Sequence, residues 1–204
     1  MANSTNSATQ PWEPRILKTE PFVYTSMVLP MFVHGLKQRQ ESQLLDIGPV
    51  CSENINFFAR QVKRLYVCDM FLRLERDRRK DMAPDRVWRH LDYPPESFDG
   101  IILWDFCDRL DKKDVAGIVE LCLKMVKPMG MVMVYALSEQ EIMPEVNSFT
   151  IGDDFRISLQ PQPHLDLHFH GRQNRDVLAL LSPFTAIKSF IYRNGLKEFL
   201  FQNQ

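Results

Sequence analysis

Residues 44–52, Leu-Leu-Asp-Ile-Gly-Pro-Val-Cys-Ser, restrict this chain to a small set of folds. A short apolar run ends in an acid and turns at Gly48. From Ser52 onward, Ile55, Phe58, Ala59 and Val62 recur at helical spacing. The pattern predicts a buried strand, a tight turn and a helix, with Ser52 as its cap. A corner of this kind belongs to an α/β sheet. The helix start leaves backbone N–H groups free to meet a nucleotide-like ligand.

The same alternation continues downstream. Residues 64–68 read as a second strand ending at Asp69, 72–80 as a short charged helix, and 86–91 as a weaker third strand. After Pro94-Pro95, the segment 98–104 (Phe-Asp-Gly-Ile-Ile-Leu-Trp) reads as a fourth strand. Residues 114–126 predict an amphipathic helix with Val115, Ile118, Val119, Cys122, Met125 and Val126 facing inward. Pro128-Met129-Gly130 then turns the chain into a fifth strand over 131–136. Uninterrupted apolar strands alternating with helices imply a parallel sheet covered on both faces.

The remainder has a different pattern. Residues 139–172 are irregular and Pro-rich, with one hairpin expected between 155–159 and 165–170. A short helix is expected over 175–181. Two strand-like runs, 185–192 and 196–202, flank Asn194-Gly195, a strong hairpin signal. Upstream, residues 1–12 are polar and aperiodic and predict a disordered tail. Pro14, Pro21 and Pro30 divide 13–40 into one or two short helices packed on the main domain. The domains are therefore a tail, a helical extension, and an α/β domain over 41–204 carrying the 139–172 insert.

Composition narrows the function classes. A net charge of −1 gives no electrostatic case for nucleic acid or an anionic membrane as partner. No apolar run approaches the roughly 20 residues of a membrane span, and the polar start does not read as a secretory signal. Cys51, Cys68, Cys107 and Cys122 are widely spaced, which predicts reduced thiols in a cytoplasmic protein. His168 and His170 would share a strand face with His164 nearby, yet no further ligand stands at a metal-site spacing, so no metal is expected. Arg73, Arg76, Arg78, Arg79 and Lys80 alternate with Glu75, Asp77 and Asp81, as on a solvated helix face with i,i+4 pairs.

In this order the pieces resemble the class I S-adenosylmethionine-dependent methyltransferases over about residues 41–204. Leu44-Leu45-Asp46-Ile47-Gly48 is similar to the start of that family's glycine-rich motif. Asp69 stands where the family keeps an acid for the ribose hydroxyls. Residues 98–105 resemble its fourth-strand segment, and Val126-Lys127-Pro128-Met129-Gly130 its turn before strand five. The resemblance implies a Rossmann-like, seven-stranded, mostly parallel sheet with a C-terminal antiparallel hairpin and helices on both faces. It implies S-adenosylmethionine or S-adenosylhomocysteine as cofactor, with Asp46, Gly48, Asp69, Asp92, Trp104 and Asp105 at the site. Asp46 would orient the sulfonium or amino group, Gly48 would supply positive φ and close backbone approach, and Asp92 and Trp104 would border the adenine and the methyl-transfer mouth. Each also has a plainer reading: Asp69 as a helix cap, Trp104 as a core aromatic, Asp105 as a turn cap.

The departures are as specific as the matches. Val50 and Ser52 replace the second and third glycines, and Pro49 removes a backbone donor. Arg89-His90 competes with Asp92 for the third-strand position. Asp108-Arg109 stands where many small-molecule methyltransferases carry Glu-His, and arginine stays protonated and cannot act as a base. No catalytic residue is identified. Two functions remain open. One is methyl transfer to a small-molecule or protein acceptor held under the N-terminal extension and the insert. The other is a catalytically inactive module for ligand sensing or protein–protein interaction. A homodimer stays open, and a dinucleotide-dependent oxidoreductase fits the closing hairpin poorly.

Overall fold

Along each central strand, successive side chains enter opposite cores, which is why these segments read as continuously apolar. Leu45, Ile47, Ile101, Leu103, Val132, Val134, Phe199 and Phe201 pack into one core; Leu44, Ile102, Met133, Tyr135, Leu196 and Leu200 pack into the other. The computed structural model describes residues 22–80, 90–137 and 145–204. In chain order these form β1 (Val23–Thr25), α1 (Leu29–Lys37), β2 (Gln43–Asp46), α2 (Ser52–Ala59), β3 (Arg64–Val67), α3 (Met70–Arg79) and β4 (Phe98–Ile102). They continue with α4 (Lys112–Met125), β5 (Val126–Leu137), β6 (Asn147–Ile151), β7 (Arg156–Pro161), α5 (Asn174–Leu180), β8 (Thr185–Ile191) and β9 (Leu196–Gln202).

The main sheet has the order β3-β2-β4-β5-β9-β8. Strands β3, β2, β4 and β5 are parallel, and β9 and β8 run antiparallel to close it. The described residues thus hold six strands in this sheet, against the seven expected. Residues 86–89 of the expected third strand lie outside the described residues, as do residues 1–12 of the expected tail. His90 and Leu91 form one tight turn instead. Helix α4, capped by the Asp111 side chain on the Asp114 N–H at 2.8 Å, covers one face with α5. Helices α1 and α2 lie on the other. Gly100 lets α1 approach β4, because a Cβ there would sit 2.8 Å from Phe32 Cζ.

A second sheet, β1-β7-β6, lies over the α1 face. It corrects two expectations. The N-terminal extension contributes one strand and one helix, because residues 23–25 find a strand partner in 156–158. The insert's hairpin joins 147–151 to 156–161, not 155–159 to 165–170. Leu165 and Leu167 alternate with exposed neighbours because they pack into the core without a ladder partner. The true partner strand, Asn147–Ile151, is buried throughout and so shows no alternation.

Candidate functional site at the carboxyl ends of the parallel strands

Because β3, β2 and β4 are parallel neighbours, the residues at their carboxyl ends converge on one edge of the sheet. Asp46 closes β2, Asp69 comes just after β3, and Trp104 just after β4. Asp46 is 2% exposed. Its Oδ1 accepts the Trp104 Nε1–H at 2.7 Å and the Gly48 N–H at 3.0 Å. Burial pushes its carboxyl up to about 6, and the charge of Asp69 adds to the rise. The two hydrogen bonds pull the other way.

Asp69 is half-buried and bridges two elements. One oxygen accepts the Leu72 N–H at 2.8 Å and caps α3; the other accepts the Val50 N–H at 3.2 Å, from the turn after β2. The corner and the second acid therefore face each other. Val50 is 61% exposed, so its branched side chain points to solvent and leaves the turn intact.

Gly48 has a different role from the one its sequence position suggests. It is not among the residues with positive φ. A Cβ at this position would lie 2.2 Å from Trp104 Cδ1 and 2.5 Å from Nε1, so glycine is required by the indole that lies on it. Trp104 itself takes φ 48°, an uncommon conformation for a bulky residue. That turn swings the ring back over the corner. There it stacks on Tyr135 of β5 (centroids 5.0 Å, 20°) and on Phe149 of β6 (5.5 Å, 23°). Trp104, 1% exposed, is thus a core aromatic.

The other two expected residues lie elsewhere. Asp92 is exposed, on a segment held at His90 by Arg73 (2.8 Å between Nη1 and Nδ1). Asp105 is fully buried and accepts Arg109 Nη2 at 2.9 Å. Burial raises its pKa against the pull of Arg109. The carboxyl is sealed off from any ligand, which corrects its expected place at the cofactor. Asp108 is likewise enclosed. It accepts the Leu137 N–H at 2.7 Å and lies 3.5 Å from Arg172, and burial lifts it to about 7. Arg172 binds the backbone oxygens of Cys107 and Leu110 and fixes the loop after β4. Of the loop's acids only Asp111 is exposed, and its carboxylate caps α4 through the Asp114 N–H.

Several residues that shape this region were missed. Asn54 clamps α2 to β6 through Phe149 O (2.7 Å) and the Ile151 N–H (2.9 Å). Glu198, buried on β9 opposite Tyr135, accepts the N–H groups of Met27 (3.1 Å) and Val28 (3.0 Å) and the hydroxyls of Tyr24 (3.2 Å) and Tyr192 (3.0 Å). A charge inside the apolar run 196–201 was the available signal for it. Among the described residues no group of three or more side chains could hold a metal ion, and no helix is long and apolar enough to cross a membrane. All four cysteines are free thiols.

An adenosyl cofactor at this edge would meet the carboxylates of Asp46 and Asp69, where Asp46 Oδ1 and both Asp69 oxygens already accept hydrogen bonds from the chain. The space over Gly48 does not fit it while the Trp104 indole lies there.

No protein-family model matches the chain, and no curated protein matches it either. Solved structures do. An S-adenosylmethionine-dependent methyltransferase from Mesorhizobium loti superposes with TM-score 0.57 at 13% identity, over 86% of this chain and 97% of the other. One from Clostridium acetobutylicum gives 0.56 at 10%, over 86% and 89%. The N-methyltransferase NodS from Bradyrhizobium japonicum, solved with S-adenosyl-L-homocysteine, gives 0.52 at 17%, over 86% and 84%. The chain has the fold of the class I S-adenosylmethionine-dependent methyltransferases.

Proposed function

We propose that this chain binds S-adenosylmethionine or S-adenosylhomocysteine as a ligand-sensing module and does not turn it over rapidly. One observation carries the reading. The two acids that would meet the ligand stand at the ends of neighbouring parallel strands, with the turn after Asp46 tied to Asp69 by the Val50–Asp69 hydrogen bond, while Asp105 and Asp108 of the loop after β4 are held in buried pairs. Asp46 would accept the ligand's amino group and Asp69 its ribose hydroxyls. Gly48 would allow the ligand's close approach, and the exposed Asp92 would stand at the rim. A fold neighbour solved with S-adenosylhomocysteine supports the choice of ligand.

A second reading is methyl transfer to a small-molecule or protein acceptor. It is favoured by the fold shared with proteins named methyltransferases. Positioning alone accelerates such a displacement, so a missing base does not forbid it. Calorimetric titration with both ligands tests the first reading, and release of S-adenosylhomocysteine in the presence of candidate acceptors tests the second. Binding that is lost on Asp69→Ala, without turnover, is expected. Absence of heat with either ligand refutes the ligand assignment, and steady turnover refutes the sensing role.

A further inference from the structure

We infer that Trp104 is an internal occupant of the ligand position at the carboxyl ends of β2 and β4, held there by Asp46, and that it competes with any ligand bringing a cationic nitrogen to that carboxylate. The inference rests on the ligand reading above and adds to it the element that closes the site.

Three independent features place the indole where a ligand would lie. Its N–H donates to the buried Asp46 Oδ1 at 2.7 Å, an oxygen that also accepts the Gly48 N–H. A Cβ built at Gly48 would lie 2.2 Å from its Cδ1, so no volume is left there for even a methyl group. Its ring packs against both Tyr135 and Phe149, which also touch each other (5.0 Å) and come from two different sheets, so the occupant is shared between the main sheet and the smaller one.

The chemistry of the exchange is simple. A buried carboxylate needs a donor, and a neutral indole N–H is a weaker partner for it than an ammonium group. An incoming cation therefore has an energetic claim on Asp46 that the indole lacks. The left-handed backbone at Trp104 (φ 48°) is a conformation that a bulky residue keeps only under outside constraint, and here the Asp46 bond and the two rings supply it. Losing the Asp46 bond weakens that constraint. When the closed arrangement dominates, apparent affinity falls by the fraction of open molecules.

The test compares the wild type with Trp104→Ala and Trp104→Phe. Phenylalanine keeps the ring stack and drops the N–H, so it serves if alanine does not fold. Calorimetry with S-adenosylhomocysteine reads affinity. Hydrogen exchange of the Trp104 indole N–H, assigned by its absence from the variants, reads occupancy without any ligand. Apparent affinity is expected to rise about tenfold or more in Trp104→Ala and by a smaller factor in Trp104→Phe. In the wild type the indole N–H is expected to exchange slowly, and saturating S-adenosylhomocysteine is expected to release it. Equal affinities of the three proteins overturn the competition and leave the ligand reading standing. Folded variants that bind no ligand overturn both. An indole N–H that exchanges as fast as a free one overturns the occupancy whatever the ligand does.

Discussion

Replacing Asp46 by asparagine removes a buried charge while keeping the shape of its side chain. In the folded protein burial holds the Asp46 carboxyl at about 6, against 3.8 for the free group. Between those values the native state keeps a proton that the unfolded chain has released. Stability is therefore fully present below pH 3.8 and is lost as pH rises toward 6. A shift of this size corresponds to about 3 kcal/mol lost by pH 8. The asparagine side chain does not titrate, and its Oδ1 can still accept the Trp104 and Gly48 N–H groups. Whatever offset the amide introduces is the same at every pH. The change in the mutational effect between pH 4 and pH 8 is then set by the carboxyl shift alone. Urea unfolding of both proteins at pH 4, 6 and 8 measures it. Asp46→Asn should gain about 2–3 kcal/mol relative to wild type on going from pH 4 to pH 8. In a domain of this size that is a relative rise in Tm of about 4–12 °C. A mutational effect that is flat with pH, or that grows more destabilising toward pH 8, refutes the buried charged carboxylate.

Three further perturbations probe the surrounding packing, and a fourth serves as an exposed control. Gly48→Ala puts a methyl group inside the indole's space and should cost about 1–3 kcal/mol, with a red shift in the tryptophan emission that a simple turn glycine would not produce. Glu198→Ala leaves the Val28 N–H and the Tyr24 hydroxyl without their acceptor, while Met27 N–H keeps the Tyr192 oxygen and the Tyr192 hydroxyl keeps Thr25 O. It should cost about 3–5 kcal/mol in denaturant unfolding and speed limited proteolysis before residue 38, whereas Glu198→Gln should recover a good part of the loss. Arg172→Ala strips Asp108 and two carbonyls of their buried partner and should cost about 3–5 kcal/mol. Arg175→Ala, on an exposed pair with Asp176, should change stability by less than about 0.5 kcal/mol in the same assay.

Much of the sheet could be read from the chain because its strands are buried on both faces and its breaks are chemically marked. The run 44–46 ends where Gly48 turns, and Asn194-Gly195 forms the closing hairpin with Gly195 at φ 82°. The insert could not be read in this way. Alternation at 165–170 came from two leucines packing inward, and Asn147–Ile151, the real strand, is buried on both sides and polar enough to escape notice. Asp46 and Asp69 were legible because acids at strand ends are conspicuous. The orientation of Trp104 was not, because it depends on one left-handed backbone angle that nothing local dictates. Gly48 was singled out correctly and explained incorrectly: its need is space for a side chain more than 50 positions away, not an unusual φ.

The small sheet has a consequence for how the molecule is made. Val23 pairs with Ser158, and the Val28 N–H reaches a carboxylate 170 positions along the chain. Contacts of such long sequence separation form slowly, after large loops have closed. Phe32 and Leu36 can meet β4 at Gly100 early, whereas residues 23–28 must wait for β7 and for Glu198 of β9. A chain halted before Glu198 would leave the N-terminus of α1 without its anchor.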